Sequence, residues 1–478
     1  MLRKRITVFT ILIPMVLLLI GNTTVAAPVF ANPAARAALL IETDTGKILY
    51  QHNMDGMRPT DALTKVMTLL IAASACADGT ADPSEPVEMT EDAWADITAQ
   101  STTRNIKPGE VMSLLDLMYC AFVGSANEAC NMIAEHIAGS VEAFVRIMNE
   151  RARTLGCEGT RYKNPHGQYD FGQYTTAYEQ YLIYHEALKY PLFEEISGTQ
   201  RYTVEATNKS ESRRLTTTNS MLNPNSKYYY RNCASGLASA VFDNGVTGAT
   251  FEGGYSIVAM AETDVLSLIT VVLGSDTIMF EDESAEMRNL TESRRLFEWG
   301  FNNFSWRAIL SINELVAKAP IMHGAGADFV NLRPESEIME LISNTILDEE
   351  FTRIITIYSE ANGETLYAPV SAGDVLGEVT VSRGGEELGT VKLVANTSIE
   401  LHRLQYIRMR IDEVLSSTAA RIIIWILVVL VVGYAALVIR YNVIRSRRQR
   451  RNAEAKKKIL EDLKSPEQQQ GRQRTRQR

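Results

Sequence analysis

The spacing of apolar positions predicts an α+β domain in residues 32–305. Two short apolar strands within residues 37–50 surround an Asp-Thr-Gly turn and lead into a helix at residues 59–75. Between residues 90 and 188, apolar side chains recur every three or four positions, which predicts a run of helices. Beyond residue 228 the pattern is strand-like and closes with a further helix. Strands at both ends with helices between them are typical of the α+β class.

The composition changes after this domain, and residues 306–400 predict a small β-rich domain. Apolar and polar residues alternate at 377–383 and 389–395, and glycine-containing turns separate these segments. Residues 401–421 then predict a juxtamembrane segment, helical and close to the bilayer surface.

Both ends of the chain carry long apolar runs. Residues 1–31 have a basic start, an apolar run and small residues before Asn32, which together predict a secretory signal peptide cut after Ala31. An uncleaved anchor is the alternative. Residues 422–439 contain 18 uncharged positions, enough to predict a transmembrane helix.

The charge distribution indicates which side of the membrane each part occupies. Residues 440–478 hold 14 Lys/Arg and 4 Asp/Glu, and this excess predicts a cytoplasmic tail. With +10 in the tail and +3 in residues 1–31, the total of −9 leaves −22 for residues 32–439. We therefore expect an acidic extracytoplasmic body anchored in the cell membrane, with no nucleic-acid partner.

Cysteine and histidine spacing predicts neither a disulfide framework nor a metal site. The five cysteines form no CxxC motif, and their odd number leaves at least one without an intramolecular partner. The six histidines lie far apart and no HExxH is present. No cofactor is predicted.

Three short elements, in this order, carry the candidate chemistry. They are Ala62-Leu63-Thr64-Lys65, Ser125-Ala126-Asn127, and Val246-Thr247-Gly248 ahead of an apolar strand. Their order resembles the SxxK, SxN and KTG motifs of the low-molecular-weight penicillin-binding proteins, the serine-type D-Ala-D-Ala carboxypeptidases. The resemblance covers residues 37–400 and includes AALLIETDTGKILY, GSANEACNMIAEHIAGS and NPHGQYDFGQYTTAYE.

The resemblance implies a fold, a location and a set of residue roles. It implies a β-lactamase/transpeptidase-like domain, with an antiparallel sheet and a helical cluster, outside the cytoplasmic membrane. Lys65 matches the general base, while Ser125 and Asn127 match the pair that positions the substrate and the proton relay. Thr247 and Gly248, with His166 of the NPHG turn, match substrate-binding positions. The implied ligands are peptidoglycan stem peptides.

Two positions depart from the family pattern. Ala62 occupies the position of the serine nucleophile, and no lysine in the chain has a serine three residues before it. Val246 stands at the lysine of KTG, and an alternative alignment on ASGLASA places Ala238 there. Acyl transfer needs an oxygen or sulfur nucleophile with an adjacent base, so these departures predict impaired catalysis.

The retained residues also have structural interpretations. Ser125 to Glu128 spells S-x-x-E, a capping box at a helix start. Asp61 lies four residues before Lys65 and predicts a helical ion pair or an N-cap. His166 could hold a turn rather than touch substrate, and Thr247-Gly248 could be a simple strand entry.

Three functions fit the sequence. The first is a catalytically impaired wall-metabolism homologue that binds stem peptides or cell-wall proteins. The second is an active D-Ala-D-Ala carboxypeptidase that removes the terminal D-Ala. The third is a structural module that holds the folded head at a set distance from the membrane.

Overall fold

The computed structural model describes residues 30–31, 33–99, 101–239, 254–279 and 285–472. The described chain forms two compact units. One ends at Ile309 and also includes Met339–Glu350, and the other contains Leu310–Ile338 and Phe351 onward. The composition change predicts a boundary at residue 305. Nearly all of the predicted signal peptide, and all of Val246-Thr247-Gly248, lie outside the described residues.

Within the described residues, the first unit contains eight helices and most of the strands. Its helices are α1 (Thr64–Ala77), α2 (Glu91–Trp94), α3 (Leu114–Phe122), α4 (Asn127–Ala138), α5 (Val141–Thr154), α6 (Ala177–Ala187), α7 (Pro191–Gly198) and α8 (Arg288–Asn303). Its strands are β1 (Ala37–Glu42), β2 (Ile48–His52), β3 (Pro86–Glu88), β4 (Val111–Ser113), β5 (Arg201–Val204), β6 (Arg213–Thr216), β7 (Cys233–Ala238), β8 (Tyr255–Glu262), β9 (Ser267–Ser275), β10 (Thr277–Met279), β11 (Ala285–Met287), β12 (Phe304–Leu310) and β15 (Ile338–Ser343), the last two crossing the unit boundary. Short 3-10 helices cover Asp61–Leu63, Ser220–Leu222 and Asp348–Glu350.

A five-stranded sheet forms the centre of this unit, in the order β2-β1-β9-β8-β7. All neighbouring strands are antiparallel, with Leu40 opposite Thr270 and Leu237 opposite Val258. Strands from both ends of the domain sequence therefore meet in one sheet, as the apolar pattern predicts. Strand β7 lies at an edge of the sheet.

Both faces of the sheet are covered, and strand β1 shows why its sequence has no polar alternation. All six of its residues are buried. Leu39 and Ile41 belong to the large core under the helical lobe, while Ala38 and Leu40 belong to a second core under α8. Successive side chains of a strand point to opposite faces, so a strand covered on both sides must be apolar throughout.

The helical lobe places the first two candidate elements beside the sheet. Helix α1 packs against α3, α4 and α6, and all but three of its 14 residues are buried. The 3-10 turn Asp61–Leu63 in front of it packs against β7 and β8. This turn therefore brings Ala62 to the same edge of the sheet as the end of β7.

The second unit begins with a five-stranded antiparallel sheet in the order β13-β14-β18-β17-β16. Its elements are β13 (Ala317–Pro320), β14 (Phe329–Pro334), β16 (Phe351–Ile357), α9 (Tyr358–Ala361), β17 (Val375–Arg383), β18 (Glu386–Ala395), α10 (Arg403–Ser416) and α11 (Thr418–Arg472). Helix α11 contains one stretch, Thr418–Glu461, that is long and apolar enough to cross a membrane by length and composition.

Candidate active site

Lys65, Asn127 and the Asn164–Gly167 turn come together to form the candidate cleft, and Lys65 is almost completely buried, with 3% of its surface exposed. Its Nζ donates hydrogen bonds to Asn127 Oδ1 at 2.9 Å and to the carbonyl oxygen of His166. Burial lowers the pKa of this amine, and the charges of Glu128 and Asp61 partly oppose that effect. The sequence spacing predicts an ion pair between Lys65 and Asp61. The structure instead gives the amine two hydrogen-bond partners, Asn127 and His166.

The turn before Lys65 holds Ala62 in a fixed position. Asp61 has a left-handed backbone, with φ of 43°, and is 2% exposed. Such a conformation costs about 1–2 kcal/mol for a residue with a Cβ. Helix α1 has Leu63 as its N-cap, with no side-chain capping bond, so the interpretation of Asp61 as N-cap is wrong. The backbone strain falls immediately before the position where a nucleophile is expected.

The Ser125-Ala126-Asn127 element forms a second strained turn. Ser125 has a φ of 53° and is 1% exposed. The chain that follows Ser125 is fixed, because Ala126 N donates to Cys120 O at 2.9 Å and Asn127 N donates to Thr102 O at 2.8 Å. These bonds aim the Asn127 side chain at Lys65.

The structure contradicts the capping-box interpretation of Ser125. Helix α4 begins at Asn127 with Ala126 as its N-cap and has no side-chain capping bond. The Ser125 hydroxyl is buried and forms no hydrogen bond within the described chain. Glu128 instead accepts from Arg104 N at 2.6 Å and holds the preceding loop, and burial raises its pKa. Ser125 therefore does not cap helix α4.

His166 holds a turn, as the structural interpretation of NPHG predicts. Its Nδ1 accepts from Gln168 N at 3.1 Å and its Nε2 lies 3.0 Å from Asp96 Oδ2. An Nδ1 that accepts an N–H must be unprotonated, so the network assigns the neutral Nε2–H tautomer. Burial lowers the pKa of His166, and the Asp96 contact partly opposes the shift. The residue's contribution to the cleft is its backbone carbonyl, which binds Lys65.

Gly167 completes the contact between this turn and the strained turn at Asp61. Its φ is 85°, and a Cβ at this position would lie 1.8 Å from the Asp61 carbonyl oxygen. Gln173 fixes the base of the same loop, accepting from Lys163 N at 2.7 Å and Asn164 N at 3.1 Å. The cleft wall is therefore a close backbone-to-backbone contact that tolerates no side chain.

Sequence reasoning missed Asp96, Gln173 and Glu128 as supports of this cleft. Asp96 follows the short helix α2, and its carboxylate accepts from Asn131 Nδ2 at 2.7 Å as well as facing His166. The hydrogen bonds from His166 and Asn131 outweigh the effect of burial and lower the pKa of Asp96. Asp96 precedes His166 by 70 positions, in a segment without periodicity, so no local signal marks it.

The third element is described only at its strand. Strand β7 ends at Ala238, which is fully buried, and Ser239 N continues the ladder by donating to Ser256 O at 2.8 Å. The position that the alternative alignment assigns to the missing lysine therefore lies at the end of the edge strand. Val246, Thr247 and Gly248 fall in residues 240–253, outside the described chain.

The antiparallel sheet, the helical lobe and the cleft around Lys65 and Asn127 define a transpeptidase-like protein of the penicillin-binding type. A family model described as D-alanyl-D-alanine carboxypeptidase matches residues 22–277. This match spans more than half of the chain, and the protein belongs to that family. The predicted family and fold class are confirmed.

Individual relatives and solved structures agree with this family. The chain is 28% identical over 368 residues to D-alanyl-D-alanine carboxypeptidase DacF of Bacillus subtilis, covering 77% of this chain and 86% of the relative. Its fold is similar to penicillin binding protein 5 from Haemophilus influenzae, with a TM-score of 0.55, 24% identity, and coverage of 78% and 100%. Penicillin binding protein 6B from Escherichia coli gives a TM-score of 0.56 at 22% identity, covering 77% and 98%. The chain is thus homologous to carboxypeptidases of peptidoglycan metabolism.

We expect Gly167→Ala to destabilise the fold strongly. The added methyl group combines left-handed strain with a collision against the Asp61 carbonyl, and together these should cost about 2–5 kcal/mol. Gly156→Ala is the matched control, because Gly156 has a φ of 81° but no atom lies within 4 Å of the point that its Cβ would occupy. Urea unfolding of both purified variants checks the difference, and equal losses would contradict the contact.

Acidification should destabilise the protein through His166. The folded state lowers the pKa of His166, so the unfolded chain binds this proton more tightly than the folded chain. The free energy of unfolding therefore falls as the pH drops below about 6.5, by up to about 1.4 kcal/mol per pH unit. Urea unfolding as a function of pH measures this slope. His166→Gln should flatten it and the control His52→Gln should not; an unchanged slope in His166→Gln would sink the assignment.

Proposed function

We propose that this protein is an exported, membrane-anchored D-Ala-D-Ala carboxypeptidase homologue that binds peptidoglycan stem peptides, or wall proteins that resemble them, without forming an acyl-enzyme. One observation carries the proposal. Three residues before Lys65, where the family has the nucleophilic serine, this chain has Ala62, whose side chain is a methyl group. A methyl group cannot attack a carbonyl carbon.

The neighbouring side chains do not replace the serine. Thr64, the first residue of α1, donates a hydrogen bond from its hydroxyl to Thr60 Oγ1 at 2.7 Å. The thiol of Cys130 is buried, and burial raises its pKa to about 12, which keeps it protonated and unreactive at neutral pH. The Ser125 hydroxyl has no hydrogen-bond partner in the described chain, and in the family its counterpart relays protons rather than attacking.

The rest of the cleft supports retained binding. Lys65 remains buried and doubly hydrogen-bonded, and both strained turns remain in place at Asp61 and Ser125. Burying an amine and holding two residues in left-handed conformations each cost free energy. A site that maintains these costly arrangements supports a retained binding role.

The missing lysine of the third element should weaken carboxylate recognition. Either Ala238 or Val246 stands at its position, and neither carries a charge. A charge-assisted hydrogen bond to a substrate carboxylate contributes about 1.5–3 kcal/mol. The end of β7 supports Ala238 as the position of the lost cation, because that residue closes the edge strand beside the Ala62 turn. We expect weak rather than tight binding of free stem peptides.

The proposed location follows from the two apolar ends and the tail. Residues 1–31 act as the signal peptide, residues 422–439 cross the membrane, and residues 440–478 remain in the cytoplasm. The apolar stretch of α11 and the Lys/Arg excess after it support this topology. The folded body before the span then lies outside the membrane.

We expect no covalent adduct when the purified protein is incubated with a labelled penicillin. Intact mass measurement should give the unmodified mass, while peptidoglycan sacculi should still retain the protein in a pull-down. An adduct on the wild-type chain would establish the active carboxypeptidase instead. Loss of both signals would favour the structural module.

Restoration variants extend the same experiment. Ala62→Ser should allow penicillin acylation, and adding Ala238→Lys should raise D-Ala release from a stem peptide by roughly tenfold to a hundredfold over Ala62→Ser alone. Ala62→Ser with Val246→Lys tests the other alignment. The matched control is Ala62→Ser with Lys65→Ala, which keeps the nucleophile but lacks the base and should form no adduct. Acylation of that control at the same rate would contradict the role of Lys65.

Protease protection tests the topology. Protease added to intact spheroplasts should degrade the folded body and leave an epitope at the C-terminus protected, since the tail is expected on the cytoplasmic side. Lysed spheroplasts provide the control, in which the epitope is also lost. Digestion of the epitope in intact spheroplasts would contradict the proposed orientation.

A further inference from the structure

A basic groove lies between helix α5 and the segment at residues 157–163, and its lining does not include Lys65, Asn127 or His166. Its volume is about 890 Å³, within the range of natural ligand sites. Four cationic and two acidic side chains line it: Arg146, Arg153, Arg161, Lys163, Glu150 and Glu158. The groove therefore carries a net charge of +2 in a body whose residues 32–439 carry −22.

Three of these cations have no carboxylate partner in the described chain. Arg153 pairs with Glu150 three residues earlier on α5. By contrast, Arg146, Arg161 and Lys163 are exposed and form no ion pair with any described residue. These three cations share the concavity with one carboxylate that has no ion pair to a described residue, Glu158, so repulsion among the cations outweighs the attraction and an anionic ligand would relieve it.

The backbone under these side chains is held in place. Asn149 on α5 accepts from Tyr162 N at 2.9 Å and donates to Tyr162 O at 3.0 Å. Arg161 exchanges two backbone hydrogen bonds with Tyr174, at 2.8 and 3.1 Å. Arg146 and Arg153 lie on one face of α5, seven residues apart, so they stand along the groove in a row. The cations are therefore spaced along a fixed frame.

We propose that this groove binds a linear polyanion that presents anionic groups in succession, such as a phosphodiester or polycarboxylate polymer of the cell wall. Arginine suits both groups, because its planar fork binds phosphate and carboxylate oxygens in pairs. The inference that the polymer comes from the cell wall rests on the proposed extracytoplasmic location. The groove and its charge are independent of that proposal. Lys163 is followed directly by the Asn164–Gly167 turn of the cleft, so a bound polymer would lie next to the stem-peptide site.

Site-resolved footprinting on the full-length protein tests the groove without interference from the basic tail. Phenylglyoxal modifies exposed arginines, and peptide mass spectrometry reads each one separately. Poly(glycerol phosphate) is the phosphodiester probe and oligo-D-glutamate is the carboxylate probe. We expect at least one probe to protect Arg146 and Arg161, with protection that falls as salt rises. Arg201 and Arg214, exposed on strands β5 and β6, should remain unprotected.

Charge reversal provides the second measurement. Lys163→Glu should raise the probe concentration for half-protection of Arg161 roughly tenfold or more, since it replaces an attraction by a repulsion. Arg201→Glu changes the net charge of the protein by the same amount and should leave the probe concentration for half-protection of Arg161 unchanged. Lack of protection by both probes, or equal effects of the two variants, would overturn the proposal. Penicillin acylation and its restoration by Ala62→Ser do not involve the groove, so failure here leaves the proposed function standing.

Discussion

The buried Lys65 ammonium is the interaction on which the cleft depends. It joins three parts of the chain that are far apart in sequence, because α1 carries it, Asn127 at the start of α4 accepts from it, and His166 accepts through its carbonyl. The His166 contact is supported by a further layer of bonds, from Gln168 and Asp96 around its ring. Removing the amine would leave two buried acceptors without a donor, which is costly in a dry interior. The lysine thus has a structural role that persists without a nucleophile.

This double role explains how the site would keep its form if the reaction is lost, as proposed. In an active member the same amine would serve the serine, and here the position in front of it is Ala62. Replacing a serine by alanine removes one oxygen and adds no atom that the turn would have to accommodate. The strained φ at Asp61 and the bare Gly167 are properties of the packing around the turn, so they do not require the oxygen.

Much of the fold could be predicted from the sequence, because its signals are local. Strand β8, helix α8 and the antiparallel domain after residue 310 follow from apolar periodicity within each segment. The supports of the cleft could not be predicted in the same way. Asp96 and Gln173 act through contacts that the tertiary fold creates, and the S-x-x-E pattern at Ser125 suggested a cap that the backbone rules out. Local patterns predict elements well and predict side-chain partners poorly.

If the tail is cytoplasmic, as proposed, helix α11 extends the reach of the protein inside the cell. It runs from Thr418 to Arg472, and about 33 residues follow the proposed span. At about 1.5 Å per residue, that part extends roughly 50 Å along its axis, well beyond the headgroup layer. A cytoplasmic factor could therefore meet the distal turns of this arm without approaching the lipid, and the protein would connect events in the wall to a point deep in the cytosol.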